Sequence, residues 1–189
     1  FRSSAASDVY KRQAIMGPSG SGKSTLLHCL AGLDKVTSGS ILINGIDLAS
    51  LNDKELTKMR RDSFGFVFQA FNLIPTLTAE ENITLPSSIA GRKPEDEWVE
   101  QVINAMDIGD RLGHRPNELS GGQQQRVAAA RAMASKPEVI FADEPSGNLD
   151  SKASKELLVF MKSIVEDLNQ TIVMVTHDPY AASLSLIHI

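Results

Sequence analysis

The residues best suited by type and spacing to bind a ligand or do chemistry lie in the run GPSGSGKST near the start of the chain. Its three glycines let the backbone curl so that successive amide N–H groups face a bound anion. Lys23 adds a positive charge for the terminal phosphates of a nucleotide, and the Ser24 hydroxyl can ligate Mg²⁺. The spacing predicts a phosphate-binding loop at the start of a helix. The predicted phosphate-binding residues are Gly17, Pro18, Ser19, Gly20, Ser21, Gly22, Lys23, Ser24 and Thr25.

The phosphate loop alone leaves the kind of enzyme open. A Gly/Ser-rich surface turn that happens to contain a lysine is disfavoured by the flanking segments. A strand-like run at 14–16 precedes the motif, and a helical segment from Ser24 to about Leu30 follows it. This is the context that phosphate binding at a helix N-terminus requires. The motif therefore predicts a P-loop NTPase, a class that includes small kinases, GTPases and motor ATPases.

Two adjacent carboxylates follow another apolar strand, in the run VIFADEP at 139–145. A strand that delivers two carboxylates to its C-terminal end places them at the mouth of a nucleotide crevice. We expect Asp143 to hold Mg²⁺ through water and Glu144 to polarise the attacking water as a general base. A solvated strand end is the alternative, and the phosphate loop in the same chain disfavours it.

A second anion-binding feature is the run LSGGQQQR at 119–126. Ser120 is a good N-cap, and the two glycines after it expose backbone N–H groups at the start of a helix rich in Ala and Arg. Taken alone, this run is better interpreted as a plain capped helix. Together with the phosphate loop, it predicts that the nucleotide is bound between two subunits.

The elements that position these residues follow from the apolar pattern. Uninterrupted apolar runs predict buried strands of a parallel sheet covered by helices on both faces. They lie at 14–16, 64–69, 139–142 and 171–175, with a further strand and tight turn at 38–48. The stretch from about 72 to 134 is mostly helical, with a capping box at Thr78 and Glu81 and a core stripe of Trp98, Val102 and Met106. We predict an α/β fold with a helical insertion.

Length and charge narrow the class of protein. The 189 residues fit one domain, and a net charge of −4 lacks the electrostatic footprint of a nucleic-acid binder. The single cysteine, Cys29, suits a reducing cytosol and is predicted to be a buried thiol. No apolar run approaches the roughly 20 residues that span a bilayer. If the protein works at a membrane, another polypeptide must supply the membrane part.

The order of the motifs resembles the ABC ATPase family from about residue 14 to residue 179. The phosphate loop is followed by Gln69 after an apolar strand, then LSGGQ, the Asp-Glu pair, NLD and His177 after a last strand. The resemblance implies a P-loop NTPase (RecA-like) core with a mostly parallel sheet, a small antiparallel β part and an inserted α-helical subdomain. It also implies hydrolysis of ATP to ADP and phosphate, with ATP and Mg²⁺ bound.

Further site residues are implied by the same resemblance. In that family the LSGGQ loop binds the γ-phosphate of ATP held by the opposite subunit, so catalysis needs a head-to-tail dimer. Gln69 is expected to contact Mg²⁺ and the water and to link the site to the helical subdomain. Asp150 is expected on the dimer-contacting loop, and His177 at the γ-phosphate. The residues expected to act on the partner's ATP are Ser120, Gly121, Gly122 and Gln123.

The resemblance also implies the partners and the place of action. The runs at 64–86 and 119–150 are most similar to the lipoprotein-release and macrolide-export ATPases. The implied partners are a second ABC ATPase subunit, in a homo- or heterodimer, and an integral membrane permease, with no nucleic acid. The implied place is cytoplasmic, on the inner face of the plasma membrane. Alternatives are an amino-acid importer ATPase, a soluble ABC ATPase of DNA repair or translation, and a nucleotide-independent binding module.

Two features of the sequence disfavour the DNA-repair ATPase and the nucleotide-independent binding module. The interval between phosphate loop and signature lacks the long coiled coil or Cys-rich insert of repair proteins, and a binding module would not need Lys23, Asp143, Glu144 and His177 together.

The ends of the chain depart from the family pattern. We therefore expect a single, incomplete ABC ATPase domain, 1–189, that binds ATP more weakly than a full cassette. Its parts are an atypical leader at 1–13, a core at 14–71 and 133–180, a helical subdomain with the signature motif at 72–132, and an atypical tail at 181–189.

Overall fold

A parallel sheet lies at the centre of the computed structural model, which describes residues 12–18, 20–168, 170–178, 181, 183 and 187–188. The strands are β1 (Arg12–Met16), β4 (Phe64–Phe68), β5 (Val139–Asp143), β6 (Thr171–Thr176) and β7 (Ile187–His188). Their order in the sheet is β4-β5-β6-β1-β7, and neighbouring strands are parallel. The predicted α/β class is confirmed.

The remaining strands form a small antiparallel hairpin, β2 (Leu42–Ile43) and β3 (Ile46–Asp47). Its two-residue turn is Asn44-Gly45, and both residues have positive φ, 50° and 79°. These angles are those of the hairpin turn that Asn-Gly favours, because glycine and asparagine tolerate the left-handed region. The strand and tight turn predicted at 38–48 are confirmed.

Helices cover both faces of the sheet. They are α1 (Lys23–Leu30), α2 (Asp53–Ser63), α3 (Ala79–Ile89), α4 (Asp96–Ala105), α5 (Gly121–Ala134) and α6 (Ser151–Asp167). Along β5 the side chains alternate between two clusters: Phe141 packs with Leu27 of α1, whereas Ile140 packs in the cluster that contains Leu157 of α6. An apolar strand with no polar alternation is what such two-sided burial requires.

Helix α5 joins the helical stretch to the sheet. Its residues Val127 to Met133 are mostly buried, and they pack with α3, α4 and β4. The predicted core stripe on and after α4 is confirmed, because Trp98, Val102 and Met106 are buried. The Trp98 indole N–H also donates to the Met133 carbonyl at 2.9 Å, which ties α4 to the end of α5. The predicted Thr78–Glu81 capping box of α3 is confirmed as well.

A glycine in β4 allows the close approach of α5. A Cβ atom added at Gly65 would lie 2.2 Å from the backbone oxygen of Ala132. Because that oxygen belongs to a helix backbone, it cannot move aside alone. We expect Gly65→Ala to lower the free energy of unfolding by about 1–3 kcal/mol, the usual cost of overpacking a core.

The measurement is urea-induced unfolding of the Gly65→Ala variant beside a matched Gly113→Ala control. A Cβ at Gly113 meets no atom within 4 Å, so the control is expected to unfold at the midpoint of the unsubstituted chain. Equal midpoints for the two variants would show that β4 and α5 do not approach as closely as described.

Three features differ from the sequence predictions. Arg12 and Gln13, assigned to the leader, extend β1, and Ile187–His188 of the tail pair with the same strand on its outer edge. An open strand edge offers backbone donors and acceptors to any extended segment, whatever its side chains. The third is Cys29, which is partly exposed rather than buried. None of the helices in the described part of the chain has the length and apolar character needed to span a membrane.

Candidate nucleotide-binding site

Most of the predicted site residues converge at the carboxyl ends of four neighbouring strands. The phosphate loop follows β1, Gln69 follows β4, Glu144 follows β5 and His177 follows β6. In parallel sheets this edge is where ligands bind. A cavity of about 730 Å³ lies there, and its lining comprises Pro18, Gly20, Gly22, Lys23, Ser24, Thr25, Gln69, Glu144 and His177.

The phosphate loop has the backbone conformation that its glycines permit. Gly20 and Gly22 have φ values of 80° and 85°, in the left-handed region that favours glycine. A Cβ added at Gly17 would lie 2.8 Å from the Ser21 hydroxyl oxygen, so a larger residue there would require this hydroxyl to move. The loop thus turns sharply into α1. The predicted residue Ser19 lies outside the described residues.

Lys23 is the charged group inside this loop. It is the first residue of α1, its exposed fraction is 9%, and its Nζ donates to the Pro18 carbonyl oxygen at 3.0 Å. The ammonium group therefore sits among the peptide groups of the loop, with two further N–H donors for an anion. Together with the N-terminus of α1, it makes this wall of the cavity electropositive.

Two side chains with oxygen atoms that could ligate a metal, Ser24 and Asp143, lie next to each other at the start of α1 and the end of β5. The Ser24 hydroxyl donates to the Asp143 carboxylate at 2.9 Å. His28 of α1 approaches the other carboxylate oxygen, with its Nε2 3.7 Å away. A hydroxyl and a carboxylate are hard oxygen ligands, and Mg²⁺ in such sites takes its remaining ligands from phosphates and water. The donor set at Ser24 and Asp143 therefore fits Mg²⁺.

Glu144 has a strained backbone that directs its side chain into the cavity. Its φ is +47°, a value that non-glycine residues rarely adopt, and its N–H donates to the Val175 carbonyl of β6 at 2.9 Å. The carboxylate oxygen Oε2 lies 2.8 Å from Nδ1 of His177. The His177 backbone N–H points at the same oxygen, at 3.4 Å. Two residues predicted separately are therefore in direct contact.

Gln69 is held by two residues that sequence reasoning missed. Its side-chain amide donates to Oδ1 of Asn148 at 3.1 Å, and the Asn148 amide donates back to the Gln69 carbonyl at 2.9 Å. A Cβ at Gly147 would lie 2.7 Å from the Gln69 amide nitrogen, so only glycine leaves room for this side chain. Both residues stand in the run GNLD, which drew attention only through Asp150.

The signature residues lie outside this cavity. Ser120 caps α5: its hydroxyl accepts from the Gln123 N–H at 3.3 Å, and the Gln123 side chain accepts from the Ser120 N–H at 2.9 Å. The predicted N-cap is thereby confirmed. Gly121 and Gly122 form the first turn of α5. Asp150 is likewise absent from the cavity lining, and its carboxylate caps α6 by accepting from Lys152 and Ala153 N–H groups.

Comparison with known proteins agrees with this geometry. The family model described as ABC transporter matches residues 8–147. The chain is 47% identical over 174 residues to the macrolide export ATP-binding/permease protein MacB of Marinobacter nauticus, covering 91% of this chain and 27% of that protein. It is 51% identical over 172 residues to the bacitracin export ATP-binding protein BceA of Halalkalibacterium halodurans, covering 90% of this chain and 68% of that protein.

Among solved structures, the chain is similar to the ATP-binding cassette MJ0796 in a dimeric post-hydrolysis state bound to ADP and Pi. That protein is from Methanocaldococcus jannaschii. The TM-score is 0.81 at 44% identity, and the match covers 95% of this chain and 81% of that one. The chain spans about a quarter of MacB and about two thirds of BceA. By sequence and by fold, the chain belongs to the ATP-binding cassettes of the ABC transporter family.

Proposed function

We propose that this chain binds ATP and Mg²⁺ and hydrolyses ATP as one half of a two-site dimer, to power a separate membrane permease. One observation carries the proposal. The carboxylate of Glu144 enters the same cavity as Lys23 and Ser24, and His177 holds it at 2.8 Å. The anion-binding loop and a hydrogen-bonded candidate base, Glu144, therefore line the same cavity. We propose that the terminal phosphate of ATP and the attacking water bind in this cavity.

The proposed reaction is an in-line displacement at the γ-phosphorus. A water oxygen forms the new P–O bond, the bond to the β,γ-bridging oxygen breaks, and Glu144 accepts the proton of the water. Lys23 and the loop amides stabilise the charge on the phosphates. Bound Mg²⁺, held by Ser24, Asp143 and Gln69, would neutralise further charge on the β- and γ-phosphates.

His177 positions both the base and the phosphate in this proposal. When its Nδ1–H donates to Glu144, the other ring nitrogen can donate to a phosphate oxygen only in the imidazolium form. The side chain is 68% exposed, so nothing in the described residues prevents it from reaching a bound nucleotide. We therefore assign His177 the role of orienting Glu144 and contacting the γ-phosphate.

The signature loop supports the dimer. Ser120, Gly121, Gly122 and Gln123 present a capped helix N-terminus away from the cavity of their own chain, and the first two are exposed. Such an end binds anions through its free N–H groups. We propose that it binds the γ-phosphate of ATP on a second ABC ATPase subunit, and that the loop containing Asp150, which precedes α6, lies at the same interface.

A second cavity, of about 380 Å³, suits the permease. It lies between β4, α3 and α5, and Phe66, Phe68, Leu85 and Pro86 contribute to its wall beside Ile89, which is 72% exposed. Exposed apolar surface of this kind marks protein interaction sites. We propose that a cytoplasmic segment of the permease docks here, which would place this chain at the inner face of the membrane.

The lining of this cavity is hydrogen-bonded to the segment that follows Gln69 in the chain. Arg131 of α5 donates to the carbonyls of Asn72 and Phe71 at 2.6 and 3.0 Å. Burial lowers the pKa of the Arg131 guanidinium, which nevertheless keeps its charge. We propose that residues 72–132 act as the helical subdomain and transmit movement between groove and ATP site. The names of the relatives above favour an export system.

Purified chain incubated with Mg-ATP tests the proposal through phosphate release. We expect turnover per chain to rise with protein concentration and then level off, because a complete site needs two chains, and we expect EDTA to abolish it. Turnover that is absent, or independent of protein concentration, would contradict the proposal.

Gly147→Ala is expected to reduce hydrolysis without weakening nucleotide binding. The added Cβ would lie 2.7 Å from the Gln69 amide nitrogen and would displace that side chain. Misplacement of a positioning group by about 1 Å can cost on the order of 100-fold in rate, so we expect kcat to fall about 10- to 100-fold. Steady-state kinetics check this, with Gly109→Ala, where the Cβ has an ordinary 3.8 Å contact, as the control. A kcat equal to the control's would contradict it.

A further inference from the structure

Gln125, one turn into α5, is a buried polar residue for which the reaction described above has no use. Its exposed fraction is 0%. Its side-chain Nε2 donates two hydrogen bonds, to the Pro145 carbonyl oxygen at 2.6 Å and to the Phe68 carbonyl oxygen at 3.3 Å. One amide group thus joins three separate segments: α5, the end of β4 and the turn after β5.

The two acceptors are next to the proposed catalytic side chains. The Phe68 carbonyl belongs to the peptide bond that leads into Gln69, and Pro145 directly follows Glu144. Glu144 is also the residue with the strained backbone, at φ +47°. A strained turn persists only where its surroundings hold it. Gln125 supplies one of the contacts that hold this turn, and it does not line the cavity itself.

The orientation of the amide is determined by its neighbours. Nε2 faces two carbonyl oxygens, so the flipped amide would place its own oxygen against both acceptors. Within the described part of the chain, Oε1 has no hydrogen-bond partner although it is buried. An unpaired buried acceptor is unfavourable for stability. We therefore attribute the presence of glutamine at this position to the geometry that its two donated hydrogen bonds impose on the segments of Phe68 and Pro145.

We infer that Gln125 is a positioning residue that fixes Gln69 and Glu144 relative to the signature helix. The inference rests on the proposed function. Ser120 to Gln123, proposed to bind the partner's ATP, begin the helix α5 that also carries Gln125. Through Gln125, this helix also holds Gln69 and Glu144, which are proposed to act on the water at this chain's own ATP. Hydrolysis at each site then depends on how the signature helix of the same chain is placed.

Steady-state ATPase kinetics of Gln125→Met test this inference, because methionine keeps the length and removes both donors. We expect kcat to fall about 10- to 100-fold, the effect of a small misplacement of reacting groups, while KM for ATP stays within about threefold because the phosphate loop is untouched. In the Glu144→Gln background, Gln125→Met is expected to leave ATP-dependent dimerisation intact, since Gln125 is fully buried and does not line the cavity proposed for the nucleotide.

Two controls separate positioning from stability. Gln101→Met makes the same chemical change at an exposed position of α4, outside the proposed site, and kcat is expected to be unchanged. Val127→Ala removes buried volume from α5, the helix that carries Gln125, without removing a hydrogen bond. It is expected to lower the melting temperature and leave kcat unchanged at temperatures well below melting.

The outcomes distinguish this inference from the proposed function. If the unsubstituted chain has no ATPase activity, the proposed function itself fails. If the chain is active and Gln125→Met has the same kcat, or loses dimerisation together with activity, the inference is overturned. If Gln125→Met does not fold, Gln125→Asn, which keeps two donors but is one methylene too short to reach both carbonyls, is expected to show the same loss of kcat. Failure of both variants to fold would overturn the inference in favour of a structural role.

Discussion

Replacement of Glu144 by glutamine is expected to lower kcat for ATP hydrolysis by about 10²- to 10⁴-fold, the usual contribution of a general base. Glutamine is nearly isosteric and can still accept a hydrogen bond from His177, whose Nδ1 lies 2.8 Å from the Glu144 carboxylate. The amide cannot take a proton from the attacking water at neutral pH. The change therefore removes the base and leaves the shape of the site.

The affinity for ATP is expected to change little in this variant, because Glu144 does not belong to the phosphate loop. Phosphate release and equilibrium binding of a fluorescent ATP analogue measure the two quantities separately. Glu100→Gln makes the same chemical change at an exposed position of α4 and serves as the control. A Glu144→Gln variant that retained full turnover would show that another group activates the water.

The second large effect is expected from Lys23→Met, which removes the charge inside the phosphate loop and keeps most of the side-chain volume. A hydrogen bond to a charged group is worth about 1.5–3 kcal/mol. We therefore expect Kd for ATP to rise about 10- to 150-fold. The loop itself should persist, since methionine leaves no unpaired buried charge in place of the ammonium group, which is 9% exposed.

Titration calorimetry with Mg-ATP measures this change directly. Lys58→Met, at an exposed position of α2, is the matched control and is expected to bind ATP like the unsubstituted chain. Unchanged affinity in the Lys23→Met variant would mean that the cavity at the end of β1 is not where the phosphates bind. Loss of affinity in both variants would indicate a general charge effect instead.

Most of the fold was predictable because its signals are local. The central strands β4, β5 and β6 contain uninterrupted apolar runs, α3 and α5 begin at side-chain caps, and the Asn44-Gly45 turn has a conformation that its residue types favour. Helix α2 is mostly polar and charged and buries none of its residues fully, so its sequence offers few apolar positions from which the helix could be predicted. The two residues of β7 are too few for any pattern, and their place is decided by the open edge of β1.

The site divides in the same way. Lys23 was predictable from the phosphate-loop motif, Glu144 from its place after a strand, and His177 from the resemblance to the ABC ATPase family. Gln125, Gly147 and Asn148 were not, since their importance lies in contacts with residues distant in sequence. Because every residue has a backbone carbonyl, the sequence does not show that the carbonyl of Pro145 accepts a hydrogen bond from Gln125. Only the folded chain shows that Gln125 is hydrogen-bonded to the turn that carries Glu144.

The signature motif lies outside the cavity that the phosphate loop of the same chain lines, and this separation is the basis of the proposed shared site. The most direct test is the mass of the Glu144→Gln variant in solution, measured by size-exclusion chromatography with light scattering in the presence of Mg-ATP or Mg-ADP. Our account predicts a dimer with one ATP bound per chain in Mg-ATP, and a monomer in Mg-ADP. A monomer in saturating Mg-ATP, at a concentration where binding is complete, would contradict it.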